Sequence, residues 1–359
     1  MPTDNLTAMT SIPASTPAAP SPVAAPQPPW LVADIGGTHA RFGLVEGPGL
    51  AVTQVQRLRT EAHPQLIDAA RTYLAALPPS VSRPTQACLA VAAPLDGDEV
   101  RFINHPWRFS RDALQRELGL ERLILLNDFE ALALALPRLT ADGLRQHAPG
   151  PGHAPSAAQH GTLAVVGPGT GLGVAGLIRT AAGWQAIPGE GGHVTLAACD
   201  DFEAAVLAAA RRELAHVSAE RLLSGVGLPL LHRAVAAASG CSIDLAMRTE
   251  TILQRGVDHG SRDADCARTL AVFCAMLGTV AGNVALTLGA RGGLYIGGGI
   301  VPRMADLFFA SAFRERFEAK GRYRDYMRAI PTALIIDPEA ALTGAAVALA
   351  QAVGSPPGL

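Results

Sequence analysis

Lysine is almost missing from this chain. Lys and Arg together number 29, and Lys320 is the one lysine among them. A P-loop lysine, a Schiff-base lysine and a kinase lysine on an N-terminal strand are excluded unless Lys320 supplies them. Its context, FEAKGRY, has no glycine-rich loop before it, so Walker-type chemistry is excluded as well. Cysteine is sparse. Cys88, Cys199, Cys241, Cys266 and Cys274 are scattered with no C-x-x-C pair, which argues against a disulfide framework or a zinc knuckle and fits reduced thiols in a cytoplasm. Aromatic residues make up only 5%, so Ala, Val and Leu must build the core. A formal net charge of −2 gives no reason to expect nucleic acid or an anionic membrane as a partner.

Glycine, by contrast, is abundant at 37 residues, which suggests many tight turns or close backbone approaches. Residues 1–29 are rich in Pro, Ala, Ser and Thr with Asp4 as their one charged side chain, and read as a disordered tail, not a signal peptide. From Trp30 strands alternate with helices, the signature of α/β architecture. LVADIG (31–36), ARFGLVE (40–46), CLAVAA (88–93), LILLN (123–127), LAVVG (163–167), LGVAGLI (172–178) and GLYIGG (293–298) read as strands. Helices are expected at about 64–77, after Ser110, at 129–136, through much of 201–290 and after Pro338. The segment 147–160 reads as a surface loop. Two strand–glycine turn–strand units, at 31–46 and 163–178, suggest a weak internal duplication with a cleft between two lobes. From Thr269 to Ala290 no charge occurs, a span long enough to cross a bilayer at ~20 residues. Asn283, three threonines and flanking arginines favour a buried core helix instead.

Several groups could do chemistry, each with a plainer alternative. Asp34-Ile35-Gly36-Gly37-Thr38 ends a strand with an acid and two glycines, and suits either an anion-binding turn beside a hydrated metal or a simple hairpin. Gly167-Pro168-Gly169-Thr170-Gly171-Leu172-Gly173 repeats the theme more densely. The literal G-x-G-x-x-G at 171–176 lies within the following strand, not at a helix start, so it is no dinucleotide site. Asn127-Asp128 closes a buried strand. Asp128 can accept a hydroxyl proton there, or can merely cap the next helix. Glu190 and His193 share a glycine-rich loop, as sugar-hydroxyl partners or as incidental polar residues. Glu220 is a second acid with a helix-start alternative, and Gly297-Gly298-Gly299 is either a close-approach site or a tight turn.

Taken together, DIGGTHARFGLV, NHPWRFS, LLNDFEALALALP, GPGTGLGVAGL, PGEGGHV, HVSAERLLSGVGL and AGNVALTLGARGGLYIGGGIVPR resemble the bacterial glucokinases, in that order, from Trp30 to the C-terminal LTGAA. The resemblance implies a two-lobed actin-like ATPase (ribonuclease H-like) fold with an interlobe cleft. The small lobe would span 30–138, joined by a C-terminal helix within 334–359, and the large lobe 139–333. It implies transfer of the γ-phosphoryl of MgATP to the 6-hydroxyl of glucose, by a cytoplasmic enzyme that is commonly a homodimer. Asp128 becomes the catalytic base, and Asn104, Asn127, Glu190, His193 and Glu220 become sugar ligands. Gly36, Gly37 and Thr38 with Gly169, Thr170 and Gly171 would hold the phosphates, Asp34 would lie near Mg²⁺, and Gly298 and Gly299 would border the adenosine. His39 stands where the family more often has asparagine, and the absence of a cysteine cluster assigns the chain to the zinc-free group.

Overall fold

The computed structural model describes residues 29–354, except 48, 96, 103–104, 148–160, 182, 243 and 259–262. Strand β1 (Trp30–Ile35), the turn at 36–38 and β2 (His39–Val45) form an antiparallel hairpin that β3 (Val52–Arg59) extends. Strands β4 (Gln86–Val91) and β7 (Arg122–Asn127) then run parallel to β1, giving a five-stranded sheet in the order β3-β2-β1-β4-β7. A small hairpin, β5 (Glu99–Arg101) and β6 (Arg108–Ser110), stands apart. The second sheet is built the same way. Strands β9 (Leu163–Pro168), β10 (Leu172–Thr180) and β11 (Gly183–Ile187) form the antiparallel part. Strands β12 (Gly293–Ile296) and β13 (Thr332–Ile335) follow parallel to β9, and β8 (Leu144–His147) closes the far edge. The duplication suggested by two glycine turns is thus a repeat of a whole sheet topology.

Alternation along the strands sorts the core into layers. Leu31, Ala33 and Ile35 of β1 pack with α1 (Leu66–Ala76) and α2 (Arg111–Leu118) on one face. Val32 faces the other way, toward α3 (Asp128–Ala135) and α11, the last helix (Ala340–Val353). Leu163 and Val165 of β9 join that same cluster from the second sheet, so α3 and α11 form a layer between the two sheets. Ala164 and Val166 point to the outer helices α4 (Asp201–Ala210), α5 (Leu228–Ser239), α6 (Thr249–Val257) and α7 (Ala264–Leu288). Three short helices, α8 (Ala305–Phe309), α9 (Phe313–Glu318) and α10 (Arg324–Arg328), complete that side. The bilayer-length apolar run is α7, with 67% of its most apolar stretch buried in this core. Asp263 caps its start through the amides of Asp265 and Cys266, and Gly289 ends it in a left-handed turn.

Several short strands escape a sequence reading. β3 is an exposed edge whose register shifts between Phe42 and Leu44, with Gln54 at positive φ, so its hydrophobic period is broken. β5, β6, β8, β11 and β13 are three to five residues long, too short to show a period. The alternative cap assignment also changes. Asn127, not Asp128, is the N-cap of α3, accepting from the Phe129 amide at 2.8 Å, and Glu130 returns a bond to the Asn127 amide at 3.1 Å.

Phe129 is the close contact between the α3 layer and the second sheet. A Cβ on Gly173 would lie 1.9 Å from its ring, and one on Gly167 would lie 2.5 Å away. Both strand glycines therefore leave room for the ring that follows Asp128. We expect Gly173→Ala to destabilise the protein by about 1–3 kcal/mol, the range of overpacked cores. Phe129→Leu in the same chain should recover part of that loss, measured by urea unfolding. Full stability of Gly173→Ala would contradict the packing.

Candidate active site

Asp128 is the first helical residue of α3, placed by a buried parallel strand and a cap made by its neighbour. Its Oδ1 accepts from the Phe129 amide at 3.0 Å. Burial pushes its carboxyl up to about 7, the nearby Asp34 and Glu190 add to that, and backbone amides oppose it. A base poised near neutrality can take a proton as a hydroxyl reacts. Asn127 spends its amide oxygen on the cap and keeps its amino group as a donor.

Asp34 lies near the end of β1, and its Oδ2 accepts from Arg41 Nη1 at 2.7 Å. Burial raises its pKa, and Arg41 pulls it part of the way back. The 36–38 turn is tied from behind. Gly36 donates to the His39 carbonyl at 3.0 Å, while Thr60 donates from its amide to Thr38 (3.1 Å) and from its hydroxyl to Gly37 (2.9 Å). The amides of Gly37 and Thr38 meet no backbone carbonyl among the described residues. Two adjacent amides without backbone partners are suited to an anion.

The 169–171 turn is anchored in the same manner. The Gly169 amide donates to the Gly171 carbonyl at 2.8 Å, and the Gly225 amide donates to the Gly169 carbonyl at 2.8 Å. The turn after β12 packs on it: Gly298 has φ of 76°, and the Ile300 amide donates to the Pro168 carbonyl at 3.0 Å. The two segments expected to hold phosphates and adenosine are therefore neighbours.

Glu220 joins this turn to the sugar-type loop. Its Oε2 accepts from the Leu172 amide at 2.8 Å, and a Cβ on Gly171 would fall 2.4 Å from that oxygen. Its own amide donates to the Gly192 carbonyl at 2.8 Å. His193 Nε2 stands 3.8 Å from Glu220 Oε1 and 3.8 Å from Glu190 Oε2, so the three side chains form one cluster. Glu190 and His193 are open to solvent. Sequence reasoning missed three supports: Arg41 on Asp34, Thr60 under the first turn, and the 192–196 segment bonded along 217–220. Only Arg41 had a local signal, its position opposite Asp34 across a hairpin. Asn104 lies outside the described residues.

Comparison with known proteins gives these features a context. A family model described as glucokinase matches residues 31–352. A glucokinase of Aromatoleum aromaticum is 47% identical over 92% of this chain and 97% of its own length. One from Chromobacterium violaceum is 48% identical over 90% of each. The crystal structure of a glucokinase from an Antarctic psychrotroph superposes with a TM-score of 0.78 at 37% identity, covering 89% of this chain and 98% of that one. A glucokinase of Balamuthia mandrillaris in complex with glucose shares the fold at a TM-score of 0.71 and 19% identity. The architecture is the two-lobed actin-like ATPase fold. With the family model matching nearly the whole described chain, and relatives close to half identical across nine-tenths of it, this chain belongs to the glucokinase family.

Proposed function

We propose that this chain transfers the γ-phosphoryl group of ATP to the 6-hydroxyl of glucose, with Asp128 as base. The observation that carries the assignment of Asp128 is its place at the end of the buried strand β7 and the start of α3, with Oδ1 on the Phe129 amide and the carboxylates of Asp34 and Glu190 near enough to raise its pKa. In this reading Asn127, Glu190, His193, Glu220 and Asn104 bind the sugar. Gly36, Gly37, Thr38, Gly169, Thr170 and Gly171 cradle phosphates, and Gly298 and Gly299 border the adenosine. Phosphoryl transfer has a loose transition state and needs mainly alignment and charge neutralisation, which backbone donors and closure of the cleft supply. Asp128 orients the hydroxyl and takes its proton as transfer proceeds.

Mg²⁺ fits the donor set. Asp34 is a mostly buried carboxylate paired with Arg41 and close to that of Asp128, and a hard cation held by one carboxylate, waters and phosphates matches it. When bound there, Mg²⁺ would neutralise charge on the transferring phosphate. Asp34→Asn should raise the Mg²⁺ concentration needed for half-maximal rate by about tenfold or more, the cost of one charged ligand. An unchanged Mg²⁺ titration would remove Asp34 from that role.

The reaction itself is tested by a coupled assay with glucose and ATP, and then without each. Product formed without ATP, or none with both, would overturn it. Mannose, fructose and N-acetylglucosamine belong in the same panel, to test which ring the proposed sugar ligands accept. Free thiols at all five cysteines support a cytoplasmic site of action. Assembly as a homodimer follows from the resemblance, and sedimentation at assay concentration tests it.

A further inference from the structure

The basic residues of β2 and β3 take no part in the chemistry above. The register sets Asp34 opposite Arg41 and Arg41 opposite Arg57, with His39 opposite Arg59 nearer the 36–38 turn. Ala40 and Phe42 between them are buried in the core. The charged side chains therefore share the other face, and three arginines on two strands ~4.8 Å apart form a row. The row starts beside the turn and runs to the exposed edge strand β3.

Their partners are unequal. Arg41 is held by Asp34 at 2.7 Å and Arg59 by Glu61 at 2.8 Å. Arg57 instead donates through Nη2 to Nδ1 of His39 at 3.0 Å, and among the described residues it makes no ion pair with a carboxylate. Acceptance at Nδ1 leaves the proton on Nε2, so the imidazole offers an N–H beside the guanidinium. Burial first, and then the three arginines, hold His39 below its ordinary pKa and keep it neutral. Asp34 and Glu61 thus pair with two of the three guanidinium groups, and Arg57 keeps its positive charge in the row that begins at the 36–38 turn.

We propose that Arg57, His39 and Arg59 form an anion subsite continuous with the 36–38 turn, which takes the further phosphate groups of a linear condensed phosphate. This rests on reading that turn as phosphate-binding. A row of donors across two strands follows a chain of phosphates, whereas a single phosphate is satisfied by the turn alone. β3 carries no aromatic residue to stack a nucleobase, which favours an inorganic chain over a second nucleotide.

Tripolyphosphate is the probe, titrated calorimetrically against the full chain and tested as a competitor of ATP. It should bind about tenfold more tightly than inorganic phosphate, and Arg57→Met should weaken it about tenfold, the effect of one charge-assisted contact. The same substitution should raise the KM for ATP by clearly less. Added salt should weaken tripolyphosphate binding as screening increases. Equal losses for ATP and tripolyphosphate would put Arg57 in the nucleotide site and overturn the proposal. Equal affinity for phosphate and tripolyphosphate, or unchanged tripolyphosphate binding in Arg57→Met, would overturn it too. Arg57 is exposed on an edge strand, so its melting temperature is a direct check that the variant is folded. Gly37→Val crowds the turn itself. If it leaves ATP binding intact, the reading of the turn fails, a result distinct from any Arg57 outcome.

Discussion

Asp128→Asn should abolish most of the activity and at the same time raise the melting temperature. Loss of the base is expected to lower turnover by roughly 10²-fold or more. The stability gain follows from the carboxyl being raised from 3.8 to about 7 in the folded protein. The native state holds a proton that the unfolded chain has already released, so stability falls as pH rises from about 4 through about 7. A shift of that size costs on the order of 4 kcal/mol above neutrality, at about 1.36 kcal/mol per unit. Asparagine carries no such cost, so its advantage should be present at pH 8 and absent near pH 4. In the wild type, kcat/KM should rise with pH through about 7 and then level as the base ionises. Near-normal turnover of a folded Asp128→Asn enzyme would end the assignment. A melting-temperature difference that is the same at both pH values would end the account of its cost.

Glu220 is the second residue where a large effect is expected, because it serves two neighbours at once. One carboxylate oxygen holds the Leu172 amide behind the 169–171 turn, and the other stands 3.8 Å from His193. Glu220→Gln keeps an oxygen for Leu172 but loses the charged acceptor toward the sugar. It should raise the KM for glucose about tenfold, with the KM for ATP little changed. Glu220→Ala removes both contacts and leaves a part-buried amide unpaired. There the KM for glucose should rise about 10²-fold, and the KM for ATP should rise with it. If Glu220→Gln moved the ATP value and not the glucose value, the carboxylate would belong to the phosphate turn alone.

These two residues also mark how much of the site can be read from a sequence. The glycine turns, the acid after a buried strand and the Glu190–His193 loop are local signals, and the structure brings Glu190, His193 and Glu220 into one cluster. Asp128 was ambiguous because an acid before a helix has a ready structural use. In the structure the N-cap position itself belongs to Asn127, although Asp128 Oδ1 also accepts from the Phe129 amide. Glu220 could not be placed from its surroundings, since its partners Leu172 and Gly192 are 48 and 28 positions away and bond through backbone atoms. Backbone donors and acceptors occur at almost every position, so nothing in the letters marks which pair will meet. The same holds for Thr60 under the first turn. Strand β3 hid for a different reason: a bulge broke the period that identifies strands.

Helix α11 has a consequence for how the protein comes to be folded. It packs against α3, β1 and β4, yet these elements lie some two hundred or more positions earlier in the chain. Arg122 also donates to the Ala352 carbonyl at 2.6 Å, and Gln351 donates to the Trp184 carbonyl at 2.7 Å. During synthesis the first sheet therefore emerges with one face covered only in part, by α3, and the remainder waits until α11 leaves the ribosome. At roughly 5–20 residues per second that interval lasts tens of seconds at the slow end. The nascent first sheet is thus open to chaperones and to aggregation over that interval, and its completion waits on the last helix.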